Sequence, residues 1–124
     1  MNALNWFEIP ATDFDRAVSF YETLLQIQLR REIFGGTMPN AIFPYESGIG
    51  GAVAQVPYAQ PGADGAIIYL NARNMAVFDT ALAQVEALGG EIVLPKTALG
   101  ATGHIALIRD PEGNRVGLHI PAGA

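Results

Sequence analysis

The chain contains no cysteine and few basic residues, and each shortage excludes a class of function. Without cysteine it can form no disulfide, no thiolate nucleophile and no cysteine-based zinc site, which fits a reducing, cytoplasmic location. Seven Lys and Arg residues stand against twelve Asp and Glu, so the formal net charge is −5. We therefore expect neither a nucleic acid nor an anionic membrane surface as a partner.

Long apolar runs are also missing. No run approaches the roughly 20 apolar residues that a membrane span needs, and the N-terminus has no stretch typical of a signal peptide. Half of the 124 residues are nevertheless hydrophobic and only 15% are charged, enough for a sizeable core. We expect one soluble, compact domain over 1–124.

A stretch of strand and helix character near the start of the chain recurs, more weakly, in the second half. Phe7 and Ile9 alternate with their neighbours over Trp6–Pro10, which is the period of a half-buried strand. Asp13 then supplies a helix-capping side chain, and apolar residues follow at helical spacing. In the second half Asn74 takes the capping position of Asp13. The sequence therefore predicts a duplicated module.

Turn residues separate the two modules, which we place at about 4–56 and 65–120. The linker Pro57–Asp64 between them is too short for a flexible tether, so the modules should pack together. The second module is predicted to contain four strands and one helix: Ala66–Leu70, the helix Met75–Leu88, Glu91–Leu94 ending at Pro95, His104–Arg109 and Arg115–Ile120.

The predicted fold class is α+β, with two tandem βαβββ modules forming a barrel-like, cavity-bearing mixed sheet. Each module has a sheet covered by a helix on one face and bare on the other. We expect the bare faces to meet around a cavity for a small-molecule ligand. Short modules also leave sheet edges to cover, which favours a homodimer.

Two segments resemble the vicinal oxygen chelate superfamily, which contains glyoxalase I, bleomycin-resistance proteins and extradiol dioxygenases. They are FEIPATDFDRAVSFYETLL near the start and HIALIRDPEGNRVGLHI near the end. The resemblance covers both modules and implies the fold predicted above. Members commonly pair, which again implies a homodimer. The resemblance implies little about function, because proteins with one fold can carry out many different reactions.

In metal-dependent members, the first and the last strand of each module supply the ligands of a divalent ion. Carried over one position at a time, these ligands fall on Trp6 and Ile67 in the first strands. In the last strands they fall on Gly117 and on Gly51 or Ala52. None of these side chains binds a metal. The resemblance therefore implies that the usual site is missing, and we expect no cofactor.

Glu8 shares a strand face with Trp6 and is a candidate general base, because burial raises the pKa of a carboxyl group. The alternative is a glutamate at the barrel mouth, paired with arginine or water. His119 shares a face with Gly117, and His104 opens the strand paired with it. If both imidazoles face inward with Glu8, the three are candidate catalytic residues, or ligands of a relocated divalent metal. The alternative is a pair of hydrogen-bonded structural histidines.

Aromatic residues provide a candidate substrate-binding wall for a flat or apolar ligand: Trp6, Tyr45, Tyr58 and Tyr69. Phe43 could join them, but a core position suits it better. A core tyrosine with a satisfied hydroxyl is the alternative for Tyr69.

Three functions remain open at this point. The first is a glyoxalase/bleomycin-resistance-like protein that binds a small apolar or aromatic compound, or performs metal-free acid/base chemistry on it. The second is a metal-dependent lyase or dioxygenase with relocated ligands. The third is a non-catalytic binding protein.

Overall fold

The computed structural model describes residues 2–123, which form two α-helices, one short 3-10 helix and eight strands. The first module contains β1 (Trp6–Pro10), α1 (Phe14–Leu25), β2 (Arg30–Phe34), β3 (Met38–Ile42) and β4 (Gly50–Ala54). The second contains β5 (Tyr69–Asn71), α2 (Met75–Gln84), β6 (Glu91–Ala98), the 3-10 helix (Gly100–Thr102), β7 (His104–Arg109) and β8 (Arg115–Ile120). Within residues 2–123, neither α-helix has the length and apolar character to cross a bilayer.

The strands form two four-stranded mixed sheets, in the orders β1-β4-β3-β2 and β5-β8-β7-β6. In each module the first and last strands pair in parallel, and the other pairs are antiparallel. The α+β class and the two βαβββ modules are therefore confirmed. The predicted mixed sheet consists of two separately hydrogen-bonded halves.

The two modules also match in register. Glu8 lies opposite Ala52 in the β1–β4 pair, and Tyr69 lies opposite Gly117 in the β5–β8 pair. The neighbouring Ile9 and Leu70 both enter the core beneath the helices. Because strand side chains alternate in direction, Glu8 and Tyr69 both lie on the face away from the helices.

Each helix begins where a capping residue precedes apolar residues at helical spacing. Asp13 and Asn74 each accept a hydrogen bond from a backbone N–H three residues further on. Helix α1 ends at Gln26, whose φ of 55° is left-handed. The apolar sides of both helices and the sheet faces beneath them form one core, with these among its largest buried side chains: Ile9, Tyr21, Leu24, Phe78 and Leu118.

The turn between β7 and β8 joins the second module to the first. The Tyr21 hydroxyl of α1 donates a 2.6 Å hydrogen bond to Asp110 Oδ2, and burial, followed by the Asp110 charge, raises the pKa of Tyr21 well above its ordinary value. Asn114 Nδ2 donates to the Pro10 carbonyl at 2.7 Å, and Asn114 Oδ1 accepts from the Gly62 N–H at 3.1 Å. These bonds hold α1, β1 and the linker against the second sheet.

The same turn caps α1 through Glu112. One carboxylate oxygen accepts from the backbone N–H of Thr12 at 2.5 Å and of Asp13 at 2.7 Å, and the other accepts from the Arg16 guanidinium. The Glu112 side chain is 0% exposed. Burial by itself raises the pKa of this carboxyl, but the hydrogen bonds outweigh burial and hold the pKa below its ordinary value.

Strand β5 covers Tyr69–Asn71 rather than the predicted Ala66–Leu70. The Ile68 carbonyl still accepts from the Gly117 N–H of β8 at 2.8 Å, but the Arg115 N–H, at the start of β8, bonds to the Gly62 carbonyl of the linker. Helix α2 is also about one turn shorter than predicted, and turns continue from it to Gly89, which adopts a φ of 93°.

Strand β6 continues through Pro95, where its end was predicted. The strand lies at the edge of its sheet, and its register with β7 is irregular between Leu94 and Thr97. A proline is tolerated there because its missing N–H removes no ladder hydrogen bond.

Candidate functional site

A cavity of about 460 Å³ lies where the two modules meet. Its wall comes from the C-terminal end of α1, the first residues of β4, the loop before β4, and β5. Phe7 lies on the helix-covered face of β1, whereas Tyr69 lies on the bare face of β5, and both line the cavity. The cavity therefore opens at the junction of the modules rather than between two bare sheet faces, where it was expected.

Aromatic side chains make up much of the cavity wall. The rings of Phe7 and Phe43 lie 5.6 Å apart between centroids. Tyr45 and Tyr69 also line the cavity and remain 50% and 44% exposed, so their rings present free apolar surface. An apolar wall with few polar groups is typical of small-molecule sites.

Two glycines allow these rings to lie against the strands. A Cβ atom at Gly51 would lie 2.3 Å from the Phe7 ring, and one at Gly117 would lie 2.3 Å from the Tyr69 ring. Real Cβ atoms do not approach other atoms so closely, so any larger side chain at Gly117 would displace the Tyr69 ring. The lack of a side chain at Gly51 and Gly117 therefore leaves the space that the Phe7 and Tyr69 rings occupy in the cavity wall.

Arg73 and Asn71 form the polar end of the cavity. Arg73 follows β5 with a φ of 70°, and its N–H donates to Asn71 Oδ1 at 2.8 Å. Its guanidinium Nη2 donates to the carbonyls of Leu25 and Gln26, at the C-terminal end of α1. A cation is favourable at this end of a helix.

A smaller cavity of about 270 Å³ lies between the edge of β1, the linker and the start of β8. Glu8, Asp64 and Arg115 are the charged residues in its wall. The Arg115 Nη2 donates to the Gly65 carbonyl at 2.8 Å, while its Nε is buried without a hydrogen-bond partner. This cavity therefore contains both signs of charge.

Glu8 contacts two of the predicted aromatic residues. Trp6 Nε1 donates to one carboxylate oxygen at 3.3 Å, and the Tyr58 hydroxyl donates to the other at 3.4 Å. Desolvation, followed by the Glu8 charge, raises the pKa of Tyr58. Trp6 and Tyr58 thus position Glu8 and line neither cavity.

The two histidines lie on opposite faces of their sheet. His104 pairs with Ile120, which lies in the core, and His119 pairs with Ile105 on the other face. His119 Nε2 carries a proton and donates to the Thr102 carbonyl at 2.8 Å. The structure therefore does not bring Glu8 and both imidazoles together.

The positions of the family's metal ligands do not fit a metal in this chain. The Trp6 indole is bonded to Glu8, and Gly117 lies beneath the Tyr69 ring. The side chains of Ile67 and Ala52 contain no ligating atom, and Gly51 has no side chain. Within residues 2–123, no group of three or more His, Asp or Glu side chains is arranged to hold a metal ion.

Among the predicted substrate-binding residues, Tyr45 and Tyr69 line the larger cavity. Glu8 lines the smaller one, and neither histidine lines either. Sequence reasoning missed Asn71 and Arg73. One signal was present, because Arg73 is the sole Lys or Arg between Arg31 and Lys96.

A family model described as Glyoxalase/Bleomycin resistance protein/Dioxygenase superfamily matches residues 3–118. No curated protein sequence matches the chain significantly.

Solved structures share the fold at low sequence identity. A glyoxalase/bleomycin resistance protein from Albidiferax ferrireducens T118 has a TM-score of 0.72 and 18% identity, over 97% of this chain and 100% of that chain. An antibiotic binding protein from Streptomyces sp. CB03234 has a TM-score of 0.67 and 22% identity, over 98% of both chains. A glyoxalase I variant from Zea mays has a TM-score of 0.68 and 22% identity, over 93% of this chain but 44% of that chain.

Proposed function

Because the chain belongs to the glyoxalase/bleomycin resistance protein/dioxygenase superfamily, we propose that it binds a small apolar or aromatic compound in the larger cavity, without a metal. The observation that supports this is the aromatic wall of a cavity of about 460 Å³. The cavity has a size typical of small-molecule sites. Exposed tyrosines supply contact area for a flat ligand at low cost in conformational entropy.

A binding role also agrees with one structural relative, which is an antibiotic binding protein. We infer the same class of function here, a binding protein for a small organic compound. The nature of that compound depends on the side chains of this chain rather than on the relative's ligand.

Catalysis is the second candidate, and the geometry favours it less. Metal-free acid/base chemistry through Glu8 would take place in the smaller cavity, beside Asp64 and Arg115. A lyase or dioxygenase with relocated ligands needs Glu8 beside both imidazoles, but His104 and His119 lie on opposite sheet faces. No observation places either chemistry at the aromatic wall.

A fluorescence titration with N-phenyl-naphthylamine, a neutral aromatic probe, tests the binding role. We expect saturable binding by the wild type, unchanged by a chelator, and a loss of about fivefold in affinity for Tyr45→Ala or Tyr69→Ala, since each removes stacking area. Tyr58→Ala is the matched control, because Tyr58 is exposed but lies outside the cavity. An equal loss of affinity for the probe in all three variants would contradict the proposed site.

We further propose a cytoplasmic homodimer. Large apolar side chains outside the cavity remain exposed, including Ile33, Phe34 and Val93, and a second copy would cover such surface. The absence of cysteine suits the reducing cytoplasm. Light scattering that gives the mass of a single 13.2 kDa chain would contradict the dimer.

A further inference from the structure

Among residues 2–123, the wall of the larger cavity contains a single charged residue, Arg73, and no aspartate or glutamate. This is unusual for a chain with a formal net charge of −5. The smaller cavity differs, because Glu8 and Asp64 face Arg115 there. The larger cavity is thus a locally positive site in an acidic protein.

Arg73 also differs from most other cations of the chain in its partners. Among residues 2–123, five of the seven Lys and Arg side chains form ion pairs: Arg16–Glu112, Arg30–Glu32, Arg31–Asp15, Lys96–Asp79 and Arg109–Glu91. The two that pair with no carboxylate in this part of the chain are Arg73 and Arg115, which line the two cavities. Only Arg73 lacks an acidic neighbour in its cavity wall.

The backbone and the side chain of Arg73 are both held in place. A left-handed φ of 70° is uncommon for a residue other than glycine, and the bond from its N–H to Asn71 Oδ1 supports it. Two carbonyls at the end of α1 accept from Nη2. A guanidinium group has five N–H donors, and among residues 2–123 its recorded bonds all come from Nη2, so the donors on Nε and Nη1 remain for a ligand.

We propose that the ligand of this site is an organic anion, with an aromatic or apolar body and a carboxylate or sulfonate group. This inference rests on the proposed binding function. The body packs against Phe7, Phe43 and Tyr69, and the acidic group accepts hydrogen bonds from the Arg73 guanidinium. An arginine suits such a group because its planar donors match two oxygens at once.

Two related probes test the charge of the ligand. Anilinonaphthalene sulfonate is an aromatic anion, and N-phenyl-naphthylamine has the same aromatic body without the sulfonate. We expect the wild type to bind the anion about fivefold more tightly than the neutral probe, despite the negative charge of the protein. Arg73→Gln should weaken binding of the anion more than binding of the neutral probe and so remove this preference.

A second variant keeps the test valid if Arg73→Gln disturbs the end of α1. Asn71→Asp has nearly the same shape, retains the Oδ1 acceptor for the Arg73 N–H, and adds a negative charge to the cavity. We expect it to weaken binding of the anion selectively. Arg109→Gln is the matched control, because Arg109 pairs with Glu91 and lies outside the cavity.

The outcomes separate the two proposals. If Tyr69→Ala lowers the affinity for both probes but the wild type binds the two probes with equal affinity, the anion inference fails and the binding function stands. The anion inference also fails, and the binding function stands, if Arg73→Gln and Asn71→Asp lower the affinity for both probes by the same factor. If neither probe binds saturably, or Tyr69→Ala affects neither, both proposals fail.

Discussion

Gly117 shows how one missing side chain can change the chemistry of a site. The resemblance to metal-dependent members implies a ligand at this position of the last strand, and here the Tyr69 ring occupies the space that a side chain would need. Glycine provides no side-chain donor at this point and leaves room for the Tyr69 ring. At the scale of the residue, this favours binding of an apolar group over binding of a metal.

Gly117→Ala should weaken binding of N-phenyl-naphthylamine several-fold and lower the free energy of unfolding by only about 1 kcal/mol. The new Cβ would lie 2.3 Å from the Tyr69 ring, which can swing away because Tyr69 is 44% exposed. Probe titration and urea unfolding measure the two effects. Gly62→Ala is the control, since nothing lies within 4 Å of a Cβ there. Unchanged probe affinity in Gly117→Ala would mean that Tyr69 does not shape the site.

Helix α1 is held at both ends by charged side chains of the second module. Glu112 accepts from the first backbone N–H groups, and Arg73 donates to the last carbonyls. Each charge has the sign that the helix dipole favours at its end. These contacts fix the position of α1, whose last turn and following residue supply Leu25 and Ile27 to the cavity wall.

Glu112→Gln should lower the free energy of unfolding by about 1–2 kcal/mol at pH 7, because it removes a charged cap and the partner of Arg16. The folded-state pKa of Glu112 is depressed below its ordinary value of 4.5. Its stabilisation is therefore present above pH 4.5 and is lost as the pH falls through the lower folded-state pKa. Urea unfolding at pH 7 and at pH 3 should show the difference shrinking in acid.

Glu91→Gln is the matched control for the charged cap. Glu91 pairs with Arg109 at 3.3 Å, but both side chains are largely exposed, so the change should stay within about 0.5 kcal/mol at either pH. If Glu112→Gln lowered the free energy of unfolding at pH 7 by no more than Glu91→Gln does, the Glu112 cap would not stabilise α1.

The whole molecule has one core shared by both modules, and Asn114, like Asp110, is a buried polar residue that bonds across their junction. Its amide reaches the Pro10 carbonyl of β1 and the Gly62 N–H of the linker. Two modules that share a core and such bonds should unfold together. The cavity between them would then be lost in the same transition.

Asn114→Ala should lower the free energy of unfolding by about 3 kcal/mol, because it leaves buried donors and acceptors without partners. Trp6 is the sole tryptophan and lies in the first module, so its fluorescence reports on the module that does not carry the substitution. Fluorescence and far-ultraviolet circular dichroism should shift together to lower urea concentration. Two separate transitions would show that the modules unfold independently.

Local sequence patterns were sufficient for most of the fold. The caps Asp13 and Asn74, the alternation in β1 and the hairpin of β7 and β8 involve residues close together in the chain, and the structure confirms them. The ends of β5 and β6 were wrong, because they depend on strand partners that are distant in sequence.

The sequence by itself determined the duplicated α+β fold and the acidic balance, because residue type and short-range spacing carry these properties. Only the tertiary structure decided which side chains share a cavity. It placed Tyr45 and Tyr69 beside Arg73, turned Trp6 and Tyr58 toward Glu8, and separated His104 from His119. The physical reason is that a pocket is formed by packing between distant segments, and one step along a strand turns a side chain to the other face.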